Sequence, residues 1–392
     1  MVDMGGHQLR VRTSGPVVEG RPAVVFESGL GTPLENWTGV QRDIAAVTAT
    51  VSYDRAGLGG SGKSGAPPTI PNMVEELHSL VQKVGVRSPY ILVGHSLGGA
   101  VIRMYAARYA GELAGLVFVD PAGFAQSVAD QDEIFRQIGV PNGREQFNRS
   151  MLEWYRRPGV PEGVRAEAEA FSPLVEAGFP EFPALPPLPD GPAIALLAGK
   201  YEAPTDGMSP VPGGPEKDRL FHTAWVRQRI TQMSALVRAG EPGAQGSVVL
   251  TSASGHYIQR SEPELVAWWI RRVLFPDPSE RLAKVAPVHG ADSALALYTV
   301  LKRTYPDSLL GEAALNSLGY VLLQAGKLPD ALRVFQRNVA EYPSASNSHD
   351  SLGEAFMALG NRAKAIEHYE RSLALDPTNT NAVARLKTLR GR

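Results

Sequence analysis

Residues 90–100 read Tyr90-Ile91-Leu92-Val93-Gly94-His95-Ser96-Leu97-Gly98-Gly99-Ala100. A run of strand-forming residues ends in glycine, a serine follows, and a helix-like pattern begins at Ala100. Gly94, Ser96 and Gly98 fit Gly-x-Ser-x-Gly, the strand–turn–helix that holds a serine on a strained turn with its hydroxyl exposed. So tight a turn brings strand and helix together, and only residues without Cβ fit beside the serine. The following helix points its free N–H groups at any negative charge forming near Ser96. Ser96 is therefore read as a nucleophile rather than as part of a structural turn.

The flanking sequence extends this pattern. Ala23-Val24-Val25-Phe26, Ala49 to Tyr53, Tyr90 to Val93 and Leu116 to Val119 are continuous apolar or β-branched runs. Such runs suit the inner strands of a parallel sheet. A strand-like Gln8 to Arg12 precedes them, and Pro71 to Val84 and Ala100 to Ala110 show helical spacing between them. Alternating strand and helix means α/β with a mostly parallel sheet. The alternation breaks over about 122–190, where Val128 to Ile138, Glu145 to Arg156 and Val164 to Ala177 read as helices. The prolines at 180, 183, 186, 187 and 189 then exclude a helix or central strand. This stretch is expected to be a helical cap. The sheet resumes at Ala193 to Ala198 and Ser247 to Leu250, and a helix from Pro263 to Leu274 closes the domain before Phe275-Pro276-Asp277-Pro278.

Composition narrows the function. The chain has 392 residues, long enough for two or three domains. Lys+Arg of 39 against Asp+Glu of 40 argues against a nucleic acid or an acidic membrane surface as partner. There are 0 cysteines, which excludes disulfides, thiolate metal sites and a cysteine nucleophile. No run of apolar residues is long enough to span a bilayer. No signal segment opens the chain, so the expected location is the cytoplasm, or outside it if a leader has been removed.

The last hundred residues repeat. Gly319 and Gly353, Gly326 and Gly360, Ala331 and Ala365, Phe335 and Tyr369, and Pro343 and Pro377 each stand 34 apart. Ala294, Tyr298 and Pro306 lie 37 before Ala331, Phe335 and Pro343, half of a degenerate earlier unit. The period and offsets resemble the tetratricopeptide pattern of paired antiparallel helices. Domains are accordingly expected at 1–278, with the cap at about 122–190, and at 279–392. The repeat residues serve the arm's own core. The arm is expected to dock or to dimerise, with recruitment of a protein partner as the alternative.

Taken together, Gly94-His95-Ser96-Leu97-Gly98, Tyr53-Asp54-Arg55-Ala56-Gly57-Leu58-Gly59-Gly60-Ser61 and Ser254-Gly255-His256 resemble the α/β-hydrolase superfamily, in its order. The resemblance covers roughly residues 7–275. It implies an α/β-hydrolase fold and a Ser-His-acid triad. A serine hydroxyl needs an adjacent base, and His256 stands where the family carries its histidine, after a strand and ahead of the last helix. The acid is Asp120, at the end of the strand Leu116 to Val119, or Glu202, in the later Gly199-Lys200-Tyr201-Glu202. Strand ends face the ligand crevice, so both positions are open. Glu202, among Pro204 and Asp206, reads as solvated, and Asp120 is preferred. The expected oxyanion donors are the backbone N–H groups of Leu97 and Leu30. Many members carry His-Gly in the Leu30 loop; here the loop reads Glu27-Ser28-Gly29-Leu30-Gly31.

Other motifs compete. Gly57 to Ser64 matches the spacing Gly-x4-Gly-Lys-Ser of a phosphate-binding loop. However, Gly65-Ala66-Pro67-Pro68 interrupts the helix that should receive the phosphate. His95 is expected to pack beside the serine or to support the residues around it, and His7, His78, His222, His289, His349 and His368 to be structural or solvated. No metal-ligand cluster stands out, and the chemistry calls for no cofactor. The expectation is a serine hydrolase acting on carboxylic esters, a small acyl substrate. An amidase or aminopeptidase with the same triad is the alternative, as is a small-ligand receptor with slow turnover.

Overall fold

Strands that are apolar on both faces need cover on both, and the chain supplies it. The computed structural model describes residues 1–203, 210–241, 245–275, 277–303, 305 and 309–391. Pro204, Asp206, Pro276 and Pro306 of the sequence argument lie outside these. The described residues form two units, Met1–Leu274 and Phe275–Arg392.

The first unit contains β1 (Val2–Asp3), β2 (Gln8–Leu9), β3 (Val11–Ser14), β4 (Val24–Glu27), β5 (Thr50–Tyr53), β6 (Tyr90–His95), β7 (Leu113–Val119), β8 (Ala193–Ala198) and β9 (Gly246–Thr251). The last seven form one sheet in the order β3-β5-β4-β6-β7-β8-β9. Only β3 runs antiparallel, against β5. Every residue of β4, β5, β6 and β8 is buried, as the continuous apolar runs require. The strand expected over 8–12 is instead divided at Arg10. Its side chain turns to Asp54 (Nε to Oδ2, 2.5 Å) and its amide to Ser61 Oγ (2.8 Å).

The strand order reverses beside β4, since β5 lies on one side of it and β6 on the other. In open parallel sheets the crevice for ligands forms at the carboxyl ends of strands around such a point. Helices Ile70–Lys83 and Leu97–Arg108 pack together, as do Thr38–Ala45 and Pro263–Leu274. Three cap helices, Val128–Gln137, Gly143–Tyr155 and Glu162–Glu176, separate β7 from β8. A fourth long helix, Pro215–Leu236, lies between β8 and β9, where sequence reading placed none. Its apolar side chains are spread around the circumference instead of forming one stripe, because it packs against both β8–β9 and the cap helix Val128–Gln137.

The second unit is helical. After a helix over Pro278–Leu301, broken at Gly290 (φ 78°), come Glu312–Gln324, Leu328–Glu341, Ser346–Ala358, Arg362–Leu375 and Thr380–Arg390. The repeat offsets have a packing cause. A Cβ on Gly319 would stand 2.3 Å from the Phe335 ring, and one on Gly353 3.2 Å from the Tyr369 ring. Each glycine seats the aromatic ring of its partner helix. No helix among the described residues is long and apolar enough to cross a membrane.

These contacts predict different outcomes for one substitution at matched positions. Alanine gains about 1 kcal/mol over glycine in a helix interior, while overpacking costs about 1–3 kcal/mol. Gly319→Ala should therefore destabilise its helix pair, and Gly353→Ala, where the buried Tyr369 ring must give way by a few tenths of an ångström, should cost less. Amide hydrogen exchange over 312–341 and 346–375 in the full chain measures both.

Candidate active site

Gly94 and Gly98 let the chain turn where it does. A Cβ on Gly94 would lie 2.4 Å from the Gly98 carbonyl oxygen, and one on Gly98 2.4 Å from the Glu27 carbonyl oxygen. Between them Ser96 adopts φ 51° and ψ −118°, a conformation side chains rarely hold without support. Its amide donates to the Val119 carbonyl (3.2 Å), and helix Leu97–Arg108 starts at the next residue, earlier than the pattern at Ala100 predicts. Ser96 lines a cavity of about 890 Å³ together with Gly29, Leu30, His95, Tyr257 and His256.

His256 reaches that cavity from the loop after β9. Its Nδ1 lies 2.6 Å from Asp120 Oδ2. Because a carboxylate only accepts, the imidazole proton sits on Nδ1, and Nε2 is left as the basic nitrogen. Of the two acids weighed from sequence, Asp120 touches the ring. Glu202 is exposed and faces Lys200 at 3.8 Å, and no hydrogen bond joins it to His256 among the described residues.

Asp120 stands just past β7 in a left-handed conformation (φ 39°), its amide bonded to the Leu196 carbonyl. Its second oxygen, Oδ1, accepts from the Ala198 N–H (3.0 Å) and from Arg229 Nη1 (2.8 Å). Arg229 Nη2 donates to the Pro121 carbonyl (2.5 Å). Burial alone would raise the Asp120 pKa; Arg229, His256 and the Ala198 amide outweigh it and hold the carboxyl well below its usual range. Arg229 belongs to the helix Pro215–Leu236, and sequence reading missed both.

His95 takes a supporting role beside the serine. It is buried, and its Nε2 donates to the His256 carbonyl oxygen (2.9 Å), fastening the loop that carries His256. Burial, and then the neighbouring His256, push its pKa down to about 3. No other histidine among the described residues lines the cavity: His7 pairs with Glu76, His78 with Glu112 and His349 with His368, while His222, next to the lining Phe221, packs edge-on against Tyr201.

The expected oxyanion donors lie at the two chain segments flanking Ser96. Leu97 is the first residue of its helix, and Leu30 lines the cavity. Neither amide donates to another protein group among the described residues. A Cβ on Gly29 would stand 3.2 Å from Ser96 Cβ, so the Leu30 loop and the serine are immediate neighbours.

The glycine loop over 57–64 is a structural device. Most of its amides are already used: Gly57 donates to the Gly62 carbonyl, Leu58 to Arg55, Ser61 to Leu58 and Gly62 to Gln8. Gly60 N–H bonds to Oδ2 of the buried Asp54, and Asp54 Oδ1 accepts from Leu34 N. With most of its donors spent internally and no helix starting after it before Ile70, the loop does not form the cradle a phosphate needs.

The His95 environment has a consequence for acid stability. The unfolded state binds a proton below about 6.5, whereas folded His95 stays neutral down to about 3. Between these values the unfolded chain holds more protons, so stability falls as pH is lowered through that window. His95→Gln, which retains a donor for the His256 carbonyl, should lessen that loss. Urea unfolding of both proteins between pH 7 and pH 4 measures the difference.

Comparison with known proteins places this architecture. Residues 24–267 match the Alpha/beta hydrolase family, and 291–346 and 316–380 match the tetratricopeptide repeat. YqjL of Bacillus subtilis is 39% identical over 99 residues, 25% of this chain and 39% of that protein. Monoacylglycerol lipase abhd6-B of Xenopus laevis is 26% identical over 122 residues, 31% of this chain and 36% of its own length. The chain thus spans well under two thirds of these relatives. A thermophilic esterase from Thermogutta terrifontis aligns at 19% identity and a TM-score of 0.44, covering 68% of this chain and 94% of its own. With well over half of its length in one family match, and with strand order and serine turn as described, the chain belongs to the alpha/beta hydrolase family and carries C-terminal tetratricopeptide repeats.

Proposed function

We propose that the protein hydrolyses carboxylic esters, with Ser96 as nucleophile, His256 as general base and acid, and Asp120 as the group that orients His256. The observation carrying this reading is the 2.6 Å contact between His256 Nδ1 and Asp120 Oδ2 at the wall of the cavity that Ser96 also lines. Ser96 Oγ attacks the acyl carbon while His256 Nε2 takes the hydroxyl proton. The protonated imidazole gives that proton to the departing alkoxide, and water releases the acyl group by the same sequence. Asp120 stays ionised throughout and stabilises the imidazolium. The tetrahedral oxyanion is bound by the amides of Leu30 and Leu97.

The cavity supports an ester with a bulky apolar group. Aromatic and aliphatic side chains from the cap, among them Phe135, Phe147, Leu152, Phe171 and Phe179, make up much of its wall. An aminopeptidase would need carboxylates to hold a substrate amine. Among the described lining residues Glu153 is the one carboxylate, against Arg144 and Arg157. Ester hydrolysis is therefore preferred over amine-anchored amide cleavage.

A p-nitrophenyl ester series tests the reading. Ser96→Ala should lower kcat by at least about 10⁴-fold, and kcat/KM of the unaltered protein should rise with acyl length. Turnover surviving in Ser96→Ala would overturn the mechanism. Arg229→Met removes the cation facing Asp120, so the Asp120–His256 pair should hold its proton to higher pH. The acid limb of the kcat/KM profile should then move to higher pH.

A further inference from the structure

The loop Ser28–Gly31 lies between two cavities. Gly29 and Leu30 line the Ser96 cavity, while Arg55 and Glu167 line a separate cleft of about 380 Å³. Arg55 is buried beneath the loop and grips its carbonyls. Nη1 donates to the Ser28 oxygen (2.5 Å), and Nη2 to the Gly29 oxygen (2.7 Å). The Gly29 oxygen also accepts from Thr32 N (3.2 Å) and Thr32 Oγ1 (2.9 Å). A trans peptide is planar, so its N–H points opposite to its C=O. With the Gly29 carbonyl held towards Arg55, the Leu30 N–H is turned the other way, to the side that carries Ser96.

Arg55 is itself fixed from two elements. Nη1 bonds Glu27 Oε1 at the end of β4 (2.6 Å), and Glu27 accepts in turn from the Tyr53 hydroxyl. Nε and Nη2 bond the two oxygens of Glu167 (2.7 and 2.9 Å). Glu167 comes from the cap helix Glu162–Glu176 and is 1% exposed. Its Oε2 also accepts the Gly31 amide (2.8 Å), the residue directly after Leu30. One cap carboxylate thus touches both the cation that orients the loop and the loop itself.

Resting on the reading of Leu30 as an oxyanion donor, we infer that Arg55 and Glu167 are positioning residues. In this arrangement the oxyanion site is complete only when the cap helix is seated with Glu167 on Arg55 and Gly31. Burial would lower the Arg55 pKa, but Glu167 and Glu27 outweigh it and raise it, so the guanidinium remains charged. A cap displaced by substrate entry or product release leaves the loop without its Glu167 acceptor. Hydrolysis is thereby tied to the closed cap.

The test compares the intact protein, Glu167→Gln and Ser96→Ala with p-nitrophenyl hexanoate. Rates are referred to the folded fraction from circular dichroism. Glu167→Gln places an amide between two donors and loses one of the paired contacts. Its kcat should fall about 10–100-fold, within the range for weakening one oxyanion donor, while KM changes less than about threefold. Pentylboronic acid, whose boron takes the acyl carbon's place and becomes tetrahedral on Ser96, should bind more weakly by a similar factor. Hexanamide binding should be unchanged. Should Glu167→Gln not fold, Glu167→Asp keeps the charge beside Arg55 and draws the oxygen back from Gly31 by one methylene, and the same pattern is expected. An unchanged kcat in the folded variant, or equal weakening of both ligands, overturns the inference while leaving the serine mechanism standing. Activity retained in Ser96→Ala overturns the reading beneath it.

Discussion

The site end of the first unit depends on a contact that only a residue without a side chain can make. At Gly98 the helix after Ser96 presses onto the Glu27 carbonyl so closely that a Cβ would lie 2.4 Å from the oxygen. That approach sets the helix against the ends of β4 and β6 together, which puts the Leu30 loop and Ser96 side by side. It also holds Ser96 in a backbone conformation that costs on the order of 1–3 kcal/mol. The surrounding sheet, with Gly94 packed on Gly98 and the Ser96 amide bonded to Val119, supplies the constraint that maintains it.

Around this turn Asp120, Arg229, Arg55, Glu27 and Glu167 are buried and paired, and the more exposed His256 joins them. Asp120 meets Arg229 and His256, and Arg55 meets Glu27 and Glu167. Such pairs are weak evidence of stability, since desolvation consumes much of the attraction. Their effect here is geometric. Arg229 occupies one oxygen of Asp120, so the other is directed at His256. Arg55 draws two successive carbonyls to one side of the loop. Both arrangements use partners from outside the strand framework: Arg229 from the helix before β9, Glu167 from the cap. Segments that wall the cavity thus also orient its polar groups.

The repeat unit follows simpler rules. Its helices pair with neighbours close in sequence, and the two 34-residue units solve the same packing problem with glycine opposite an aromatic ring. Tyr298, Phe335 and Tyr369 are fully buried at matching positions. A local, periodic solution of this kind imprints itself on the sequence as a fixed spacing.

The same reasoning explains what was legible. Ser96, the inner strands of the sheet, the three cap helices and the 34-residue repeat were readable because turn chemistry and apolar periodicity act over a few neighbouring residues. The sequence also narrowed the candidate acid to Asp120 or Glu202 and preferred Asp120 for its apolar strand, but both follow strand ends and local pattern places neither against His256. Tertiary structure decided which one meets His256. It also revealed Arg229 and Glu167, whose partners lie 109 and 112 residues away in the chain. The helix Pro215–Leu236 escaped notice because contacts on both sides erase its amphipathic stripe. In the Gly57–Ser64 loop spacing allowed a phosphate site that Pro67 and Pro68 argued against, and only the fold showed most of its donors turned inward. Local chemistry wrote the elements into the sequence; long-range pairing of buried charges and amides, which leaves no periodic trace, arranged the site.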